Sequence, residues 1–445
     1  MRIAVIGAGA AGLAALRHCT KQSNQTNIEV VCYEQTGEVG GTWVYVPEVG
    51  TDAYGLPIHS SMYKSLRTNL PKEVMGFPDY PIPENPKSYL TRAELVDFIN
   101  SYCNHFMLRQ YIQFYHHVEF VEPLSGDDTG KWSVQVEDLT KNQVSIEIFD
   151  AVMVCNGHYF QPNIPKISGD SSFKGNMLHS HDYRVPEFFS GKKVVVFGAG
   201  PSGMDLALEI SKTADRVILS HHLTVPFLTK FPDNVIQKPD LAELTEHEAV
   251  FKDDSSEIVD TIFYCTGYKY SFPFLDENCG VIVDSNMVTP LWKHMLSIER
   301  PTLAFIGLPY YVCAFSMFDL QVCFNFPEPN QSQCYVRSAC CLQVRFALKF
   351  WLGDKKLPTK EDMLAEEKRE IETRRKEGLS KQQFHMMGPK QGRYYEELSE
   401  TADLDPLPPV LTTLHNESSQ RFLDDLSNYR EDRYKIIDNY NYVQL

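Results

Sequence analysis

No stretch of this 445-residue chain reaches the roughly 18 consecutive apolar residues that a bilayer-spanning helix requires. Positive charge is also scarce. Forty-two Lys and Arg stand against 58 Asp and Glu, a net charge of −16, and no basic tract is dense enough to suit a general nucleic-acid binder. There is no C-x-x-C pair, and the cysteines number 11, an odd count, which disfavours both a secreted disulfide framework and a dithiol redox centre. Scattered reduced thiols in a cytoplasmic protein are the expectation. No secretory leader precedes the first apolar run, which opens at Arg2-Ile3, so secretion is expected only if a leader has been removed. No zinc or serine-hydrolase constellation is recognisable, so no metal is expected. What is present is 43% hydrophobic and 12% aromatic content, enough for a globular chain of two or three domains.

Two glycine-rich loops carry the main information. Gly7-Ala8-Gly9-Ala10-Ala11-Gly12 follows the apolar run Ile3-Ala4-Val5-Ile6 and opens a helix-forming run. In such a loop the first glycine allows the tight turn, the second lets backbone approach a pyrophosphate, and the third lets the helix pack on the strand. The next strand, residues 28–33, ends in Glu34, 22 residues after Gly12. A carboxylate there accepts from ribose hydroxyls and repels a 2′-phosphate, which suits FAD or NAD. Gly40-Gly41-Thr42-Trp43 follows, a glycine-flanked turn whose ring could lie against the cofactor.

The second loop, Gly198-Ala199-Gly200-Pro201-Ser202-Gly203, repeats the pattern after residues 194–197, with a helix expected over 204–212. Its following strand, 216–219, ends in Ser220-His221-His222, with no carboxylate. A 2′-phosphate would not be repelled there, which points to NADPH. Two dinucleotide loops in one chain are most simply explained by a flavin that receives hydride from a nicotinamide.

Around the loops, residues 131–137 and 143–149 alternate as in a small antiparallel meander. The apolar runs 151–155 and 262–265 end in Asn156-Gly157-His158 and Thr266-Gly267-Tyr268, and they read as crossover strands linking a first nucleotide domain to a second one inserted within it. Residues 303–306 read as a last buried strand returning to the first domain, followed by helices over 345–352 and 360–376. The polar tail from Pro406 offers no motif.

On these motifs the chain resembles the flavin-containing monooxygenases. That family's string F-x-G-x-x-x-H-x-x-x-[YF] is met by Phe173, Gly175, His179 and Tyr183, and its crossover motif by Cys265-Thr266-Gly267-Tyr268, with cysteine replacing alanine. Thr68-Asn69-Leu70-Pro71-Lys72-Glu73 and Phe77 to Pro81 are similar to the segment carrying the family's active-site asparagine, and Pro290 to His294 and Leu303 to Pro309 also match. The wording is most similar to the insect branch, whose members include pyrrolizidine-alkaloid N-oxygenases. Where relatives usually place arginine after the serine that ends the second domain's strand, this chain has His221 or His222.

The fold implied is α/β, with two Rossmann-like dinucleotide-binding domains and the NADPH domain inserted into the FAD domain. Residues 1–160 would begin the FAD domain, 161–290 form the NADPH domain, and 291–445 complete the first. The expected FAD contacts are Gly7, Gly9, Ala10, Ala11, Gly12, Glu34, Gly41, Thr42, Trp43, His59, Ser60, Asn69, Leu70 and Gln321. Those for NADP are Gly198, Gly200, Pro201, Ser202, Gly203, Asp205, Ser220, His221, Cys265, Thr266 and Gly267. The resemblance implies that Asn69 is the key polar group of the reaction, which captures dioxygen as a flavin 4a-hydroperoxide and passes one oxygen to a tertiary amine, an alkaloid or a sulfide. His179 reads as a linker residue rather than a base. A homodimer is a family-level expectation.

Three alternatives stand beside this reading. A Baeyer–Villiger monooxygenase would share both loops, but its string ends in tryptophan where this chain has Tyr183. A flavin disulfide reductase would need a dithiol, for which only the adjacent Cys340-Cys341 are available. The third is a catalytically impaired flavin-binding form. It arises because Leu320-Gln321-Val322 and Leu342-Gln343-Val344 are the same tripeptide 22 residues apart, and removing 323–344 restores uninterrupted family text. That stretch, with four of the 11 cysteines and two prolines, reads either as an insertion from splicing or exon misassignment or as a lineage-specific loop.

Overall fold

In this computed structural model the described residues are 1–23, 27–124, 130–223, 227, 229–318 and 342–445. Short runs of Val, Ile and Ala without alternation suit strands buried on both faces, and they become the centres of two parallel sheets. Arg2–Ile6 pairs in parallel with Glu29–Glu34 on one side and Ala151–Val154 on the other. The larger sheet runs Leu291–Trp292, Leu296–Ser297, Leu303–Phe305, Ala151–Val154, Arg2–Ile6, Glu29–Glu34, Ile112–Phe114. Only the pairings at its Leu291 edge are antiparallel. The smaller sheet runs Val235–Lys238, Arg216–Ser220, Lys193–Phe197, Thr261–Tyr264, Asn176–His179, with every pairing parallel.

Each sheet is the middle layer of three. Ile3 and Val5 face the helices Ala10–Ser23 and Leu342–Trp351 in one apolar cluster. Ala4 and Ile6 face Val118, Trp132, Val134 and Phe149 of an antiparallel meander, His116–Pro123, Trp132–Asp138 and Gln143–Phe149. The smaller sheet repeats the plan. Val194 and Val196 pack on Leu206 and Ile210 of the helix Pro201–Ile210, while Val195 and Ile218 pack on a second meander through Leu241, Ala249 and Phe251. All strands of the smaller sheet fall between residues 176 and 264, and those of the larger lie on both sides of that interval. The smaller unit is therefore inserted in the larger, the expected two-domain α/β fold.

The two crossings between sheets are tied together where Gln161–Pro162 pairs antiparallel with Tyr268–Lys269. Beside them Arg184, 7% exposed, donates to five carbonyls: Val46 (2.6 Å), His181 (2.7 Å), Tyr183 (3.0 Å), Glu48 (3.1 Å) and Ser60 (3.1 Å). The tail that offered no motif is ordered. It forms the helix Pro409–Asp424 and the hairpin Tyr434–Ile436 with Tyr442–Gln444, and Leu411, Leu414, Phe422 and Tyr429 enter the larger domain's core. Among the described residues no helix is long and apolar enough to cross a membrane.

Candidate functional site

The first loop turns between Arg2–Ile6 and Ala10–Ser23 at the carboxyl edge of the larger sheet. Gly7 has φ +99°, and a Cβ there would sit 2.8 Å from the Cys155 carbonyl oxygen; at Gly12 it would sit 1.8 Å from that of Gly7. Both positions need glycine for the fold itself. Gly9 differs: its Cβ would meet only Gly41 Cα at 3.6 Å, an ordinary contact, so a methyl group there would stand in the cradle. Ala10 and Ala11 open the helix, whose first turn carries no acidic residue, leaving its N–H groups and positive dipole end for an anion. Glu34, 6% exposed at the end of the neighbouring strand, accepts from Ala8 N (2.8 Å), Thr36 N (2.9 Å) and Thr36 Oγ1 (2.8 Å). A carboxylate has about four acceptor positions, so one is left over for a ribose hydroxyl. Gly41, Thr42 and Trp43 form a single 3-10 turn over this cradle, held by Gly40 N to Ala8 O (3.1 Å) and by Ser60 Oγ donating to Thr42 O (3.0 Å).

The second loop has the same geometry. Gly198 has φ +103° and its Cβ would meet Cys265 O at 2.6 Å; the Cβ of Gly203 would meet Gly198 O at 1.8 Å; at Gly200 nothing lies within 4 Å. Pro201 takes the first position of its helix, where a missing N–H costs nothing, and Ser202 beside it is exposed. Both cradles, open where a Cβ would project and free of acid in the first helical turn, fit a dinucleotide pyrophosphate.

The two cradles adjoin. Met204, in the first turn of the second helix, is fully buried in the larger domain's core cluster with Ala10 and Ala11. Between them runs the segment 63–70. Thr68 is buried, its N–H donating to Leu90 O (2.8 Å), while Asn69 is exposed and its side chain has no hydrogen bond to another described residue. Leu70 rests on the larger core. A ring of imidazoles lies at the crossings. His59 stacks on Phe160 (5.2 Å), His158 Nδ1 meets Gly307 O (2.9 Å), and His179 Nε2 meets Gly267 O (3.0 Å) while its Nδ1 accepts from His181 N (3.1 Å). Burial pushes all three down to about 4. His179 thus ties the end of its own strand to the second crossing. At the second, the Cys265 thiol is buried and pushed up by burial, and Thr266 Oγ1 donates to Asn163 O (2.5 Å).

Three residues expected at the NADP site have protein partners. Ser220 is fully buried and donates to Pro239 O (2.9 Å), and His221, 5% exposed, pairs through Nε2 with Gln237 Oε1 (3.0 Å). His221 Nδ1, also buried, has no partner among the described residues, and His222 is exposed. Asp205, on the helix that opens at this cradle, takes Arg430 and Tyr63 as partners. Gln321 lies outside the described residues, as do 323–341 of the suspected insertion. The second copy of the tripeptide is placed: Gln343, fully buried, accepts from Gly307 N (3.0 Å) and donates to Tyr394 OH (2.9 Å). Arg430 was missed because it stands in a tail without periodicity or motif, and only its partners reveal it.

A profile of the flavin-binding monooxygenase-like family matches residues 1–234 and 228–325. Senecionine N-oxygenase of Tyria jacobaeae is 32% identical over 441 residues, 98% of this chain and 90% of that protein. Flavin-containing monooxygenase FMO GS-OX-like 4 of Arabidopsis thaliana is 34% identical over 416 residues, 88% of this chain and 85% of the relative. Among solved structures, S-allyl-L-cysteine S-oxygenase from Allium sativum superposes with a TM-score of 0.85 at 30% identity, covering 97% of this chain and 94% of that one. Tmm from Pelagibacter sp. strain HTCC7211 gives 0.81 at 26% identity, covering 98% and 94%. With a profile match over most of its length and relatives that agree from end to end, the chain belongs to the flavin-binding monooxygenase-like family and is an enzyme with FAD and NADPH as its cofactors.

Proposed function

We propose that this enzyme transfers one atom of dioxygen to a soft nucleophile, either a tertiary amine, pyrrolizidine and other alkaloids included, or a sulfide. The balance is NADPH + H⁺ + O₂ + substrate giving NADP⁺ + H₂O + N- or S-oxide. When bound, the flavin supplies hydride acceptance and oxygen activation. The chain's own groups bind and orient. Residues 1–160 and 291–445 hold FAD through the Gly7–Gly12 loop and Glu34, and 161–290 hold NADPH through the Gly198–Gly203 loop. Asn69, with a carboxamide free to donate and accept, stands where the two cofactors would meet and orients them. The observation that carries the reading is the adjacency of the cradles, expressed by Met204 in the larger domain's core and by the Tyr63–Asp205 bond between segment 63–70 and the second helix.

The relatives named for N- and S-oxygenation support both nucleophile classes. The test is to purify the protein yellow with FAD and follow NADPH consumption across alkaloids, simple tertiary amines, sulfides and a ketone, identifying products by mass. An N- or S-oxide formed in step with NADPH is the expected result. A lactone or ester from the ketone alone would identify a Baeyer–Villiger enzyme, and a yellow protein that never oxidises NADPH would be the impaired form. Sedimentation of the same sample tests the proposed homodimer, and cell fractionation the proposed cytoplasmic location.

A further inference from the structure

Arg430, in the C-terminal segment, reaches two separate parts of the molecule with one side chain that is 16% exposed. Nη1 and Nη2 donate in parallel to Asp205 Oδ1 (2.6 Å) and Oδ2 (3.0 Å) on the helix that opens at the second cradle. Nε donates to Thr68 O (3.2 Å) and Nη2 to Arg67 O (3.3 Å), the two carbonyls just before Asn69. Its guanidinium lies over the Tyr429 ring at 4.9 Å. The tie is returned: Arg67 Nη2 donates to Arg430 O (3.2 Å) and to Tyr89 O (3.3 Å). Tyr63 OH donates to the same Asp205 carboxylate. Further along the tail, Tyr434 N donates to Ser88 Oγ (2.8 Å), and Ser88 O accepts from Lys72 N (2.6 Å), so the segment is held on both sides of Asn69.

A bidentate guanidinium–carboxylate pair fixes angle as well as distance, because both groups are planar. Here the pair joins the NADPH-domain helix to the backbone that carries Asn69. From this geometry we infer that Arg430 is a positioning residue: it sets Asn69 against the NADPH cradle, so that the C-terminal segment governs how tightly NADPH oxidation is coupled to oxygen transfer. This inference rests on the proposed role of Asn69 and goes beyond it. When coupling is lost, the balance becomes NADPH + H⁺ + O₂ giving NADP⁺ + H₂O₂, with no oxygen reaching the substrate.

The experiment uses the full-length FAD-loaded protein and an oxidisable sulfide, and it reads FAD content, kcat and KM for NADPH, and hydrogen peroxide per NADPH. Arg430→Gln should retain FAD, lower kcat for product by about tenfold and divert most NADPH to peroxide, since small misplacements near reacting groups cost about that much or more. Arg430→Lys should keep the KM for NADPH near the parent value through its charge on Asp205. It should fail to restore coupling, because an ammonium cannot hold the carboxylate and two carbonyls in one plane. Asp205→Asn should reproduce part of the peroxide release and add little to Arg430→Gln in the double variant. If Arg430→Gln does not fold, Arg430→Lys and Asp205→Asn decide the matter by the same readouts. Coupling unchanged in all soluble variants overturns the inference. Absence of NADPH oxidation in the parent protein overturns the underlying reading instead, so the two failures are distinguishable.

Discussion

Four glycines of the two loops are required by the fold, and two are left over for the ligand. Gly7, Gly12, Gly198 and Gly203 have backbone oxygen within 2.8 Å of a would-be Cβ, so any side chain there distorts the loop before a cofactor arrives. Gly9 and Gly200 have no such obstacle. We therefore expect Gly200→Ala to melt at the parent temperature and to bind FAD, yet to raise the KM for NADPH by about tenfold or more, a ~1.4 kcal/mol loss. Gly9→Ala should purify folded by circular dichroism but colourless. Full FAD occupancy in Gly9→Ala, or an unchanged NADPH KM in Gly200→Ala, would mean the pyrophosphates do not lie in these cradles. Asn69→Ala should keep its flavin and its NADPH oxidation while releasing peroxide in place of product. Normal coupling in that variant removes Asn69 from the mechanism. At this scale the sequence was readable where a residue's job is steric and local, as for the loop glycines and for Glu34 at a strand end. It was not readable where the job depends on which way a side chain turns: Ser220 Oγ, His221 Nε2 and the Asp205 carboxylate have protein partners, while the buried His221 Nδ1 has none among the described residues.

Elements whose signal is periodic and continuous were legible almost to the residue, such as the strands around each loop and the helix Lys360–Lys376. The helix Arg92–His105 carries a capping box of Thr91 and Glu94 that announces its start, although its neighbours gave no reason to look there. The crossings show best what only the folded chain reveals. Asn156-Gly157-His158 and Thr266-Gly267-Tyr268 are far apart in sequence, yet the buried His181 ring meets both Phe160, just after the first, and Tyr268 of the second, beside the buried His179. A histidine held at about 4 in the folded protein and at 6.5 when unfolded is neutral in both states above pH 6.5, so its contribution is complete there. As pH falls below 6.5 the unfolded chain takes up the proton first, and stability is lost until about pH 4. His179, 2% exposed, is the best placed to show this. The urea midpoint of the FAD-free protein should fall between about pH 7.5 and about pH 5, with a slope of at most ~1.4 kcal/mol per pH unit for each histidine. His179→Gln should flatten that fall. An equal fall in both proteins would place the acid-sensitive groups outside the crossings.

For the whole molecule, the described helices on either side of residues 319–341 show what removal of the duplicated tripeptide would join. The helices Ala314–Phe318 and Leu342–Trp351 both pack in the larger domain's cluster, and both reach Gly307. A Cβ on Gly307 would lie 2.7 Å from Phe318 Cε1, and Gly307 N donates to Gln343 Oε1 (3.0 Å). Excising 323–344 or 320–341 yields the same chain, because the two tripeptides are identical. In that shorter chain the glutamine follows Phe318 by three residues, which is the spacing of neighbours on one helical face. Two side chains converging on one glycine are what a single uninterrupted helix from Ala314 to Trp351 would present. The shortened protein should therefore fold with the same FAD content, melt no lower than the full chain, and gain helix by circular dichroism. Its kcat should equal or exceed the parent value. Insoluble product from the excision, or a protein that loses FAD, would show instead that residues 320–341 belong to the core.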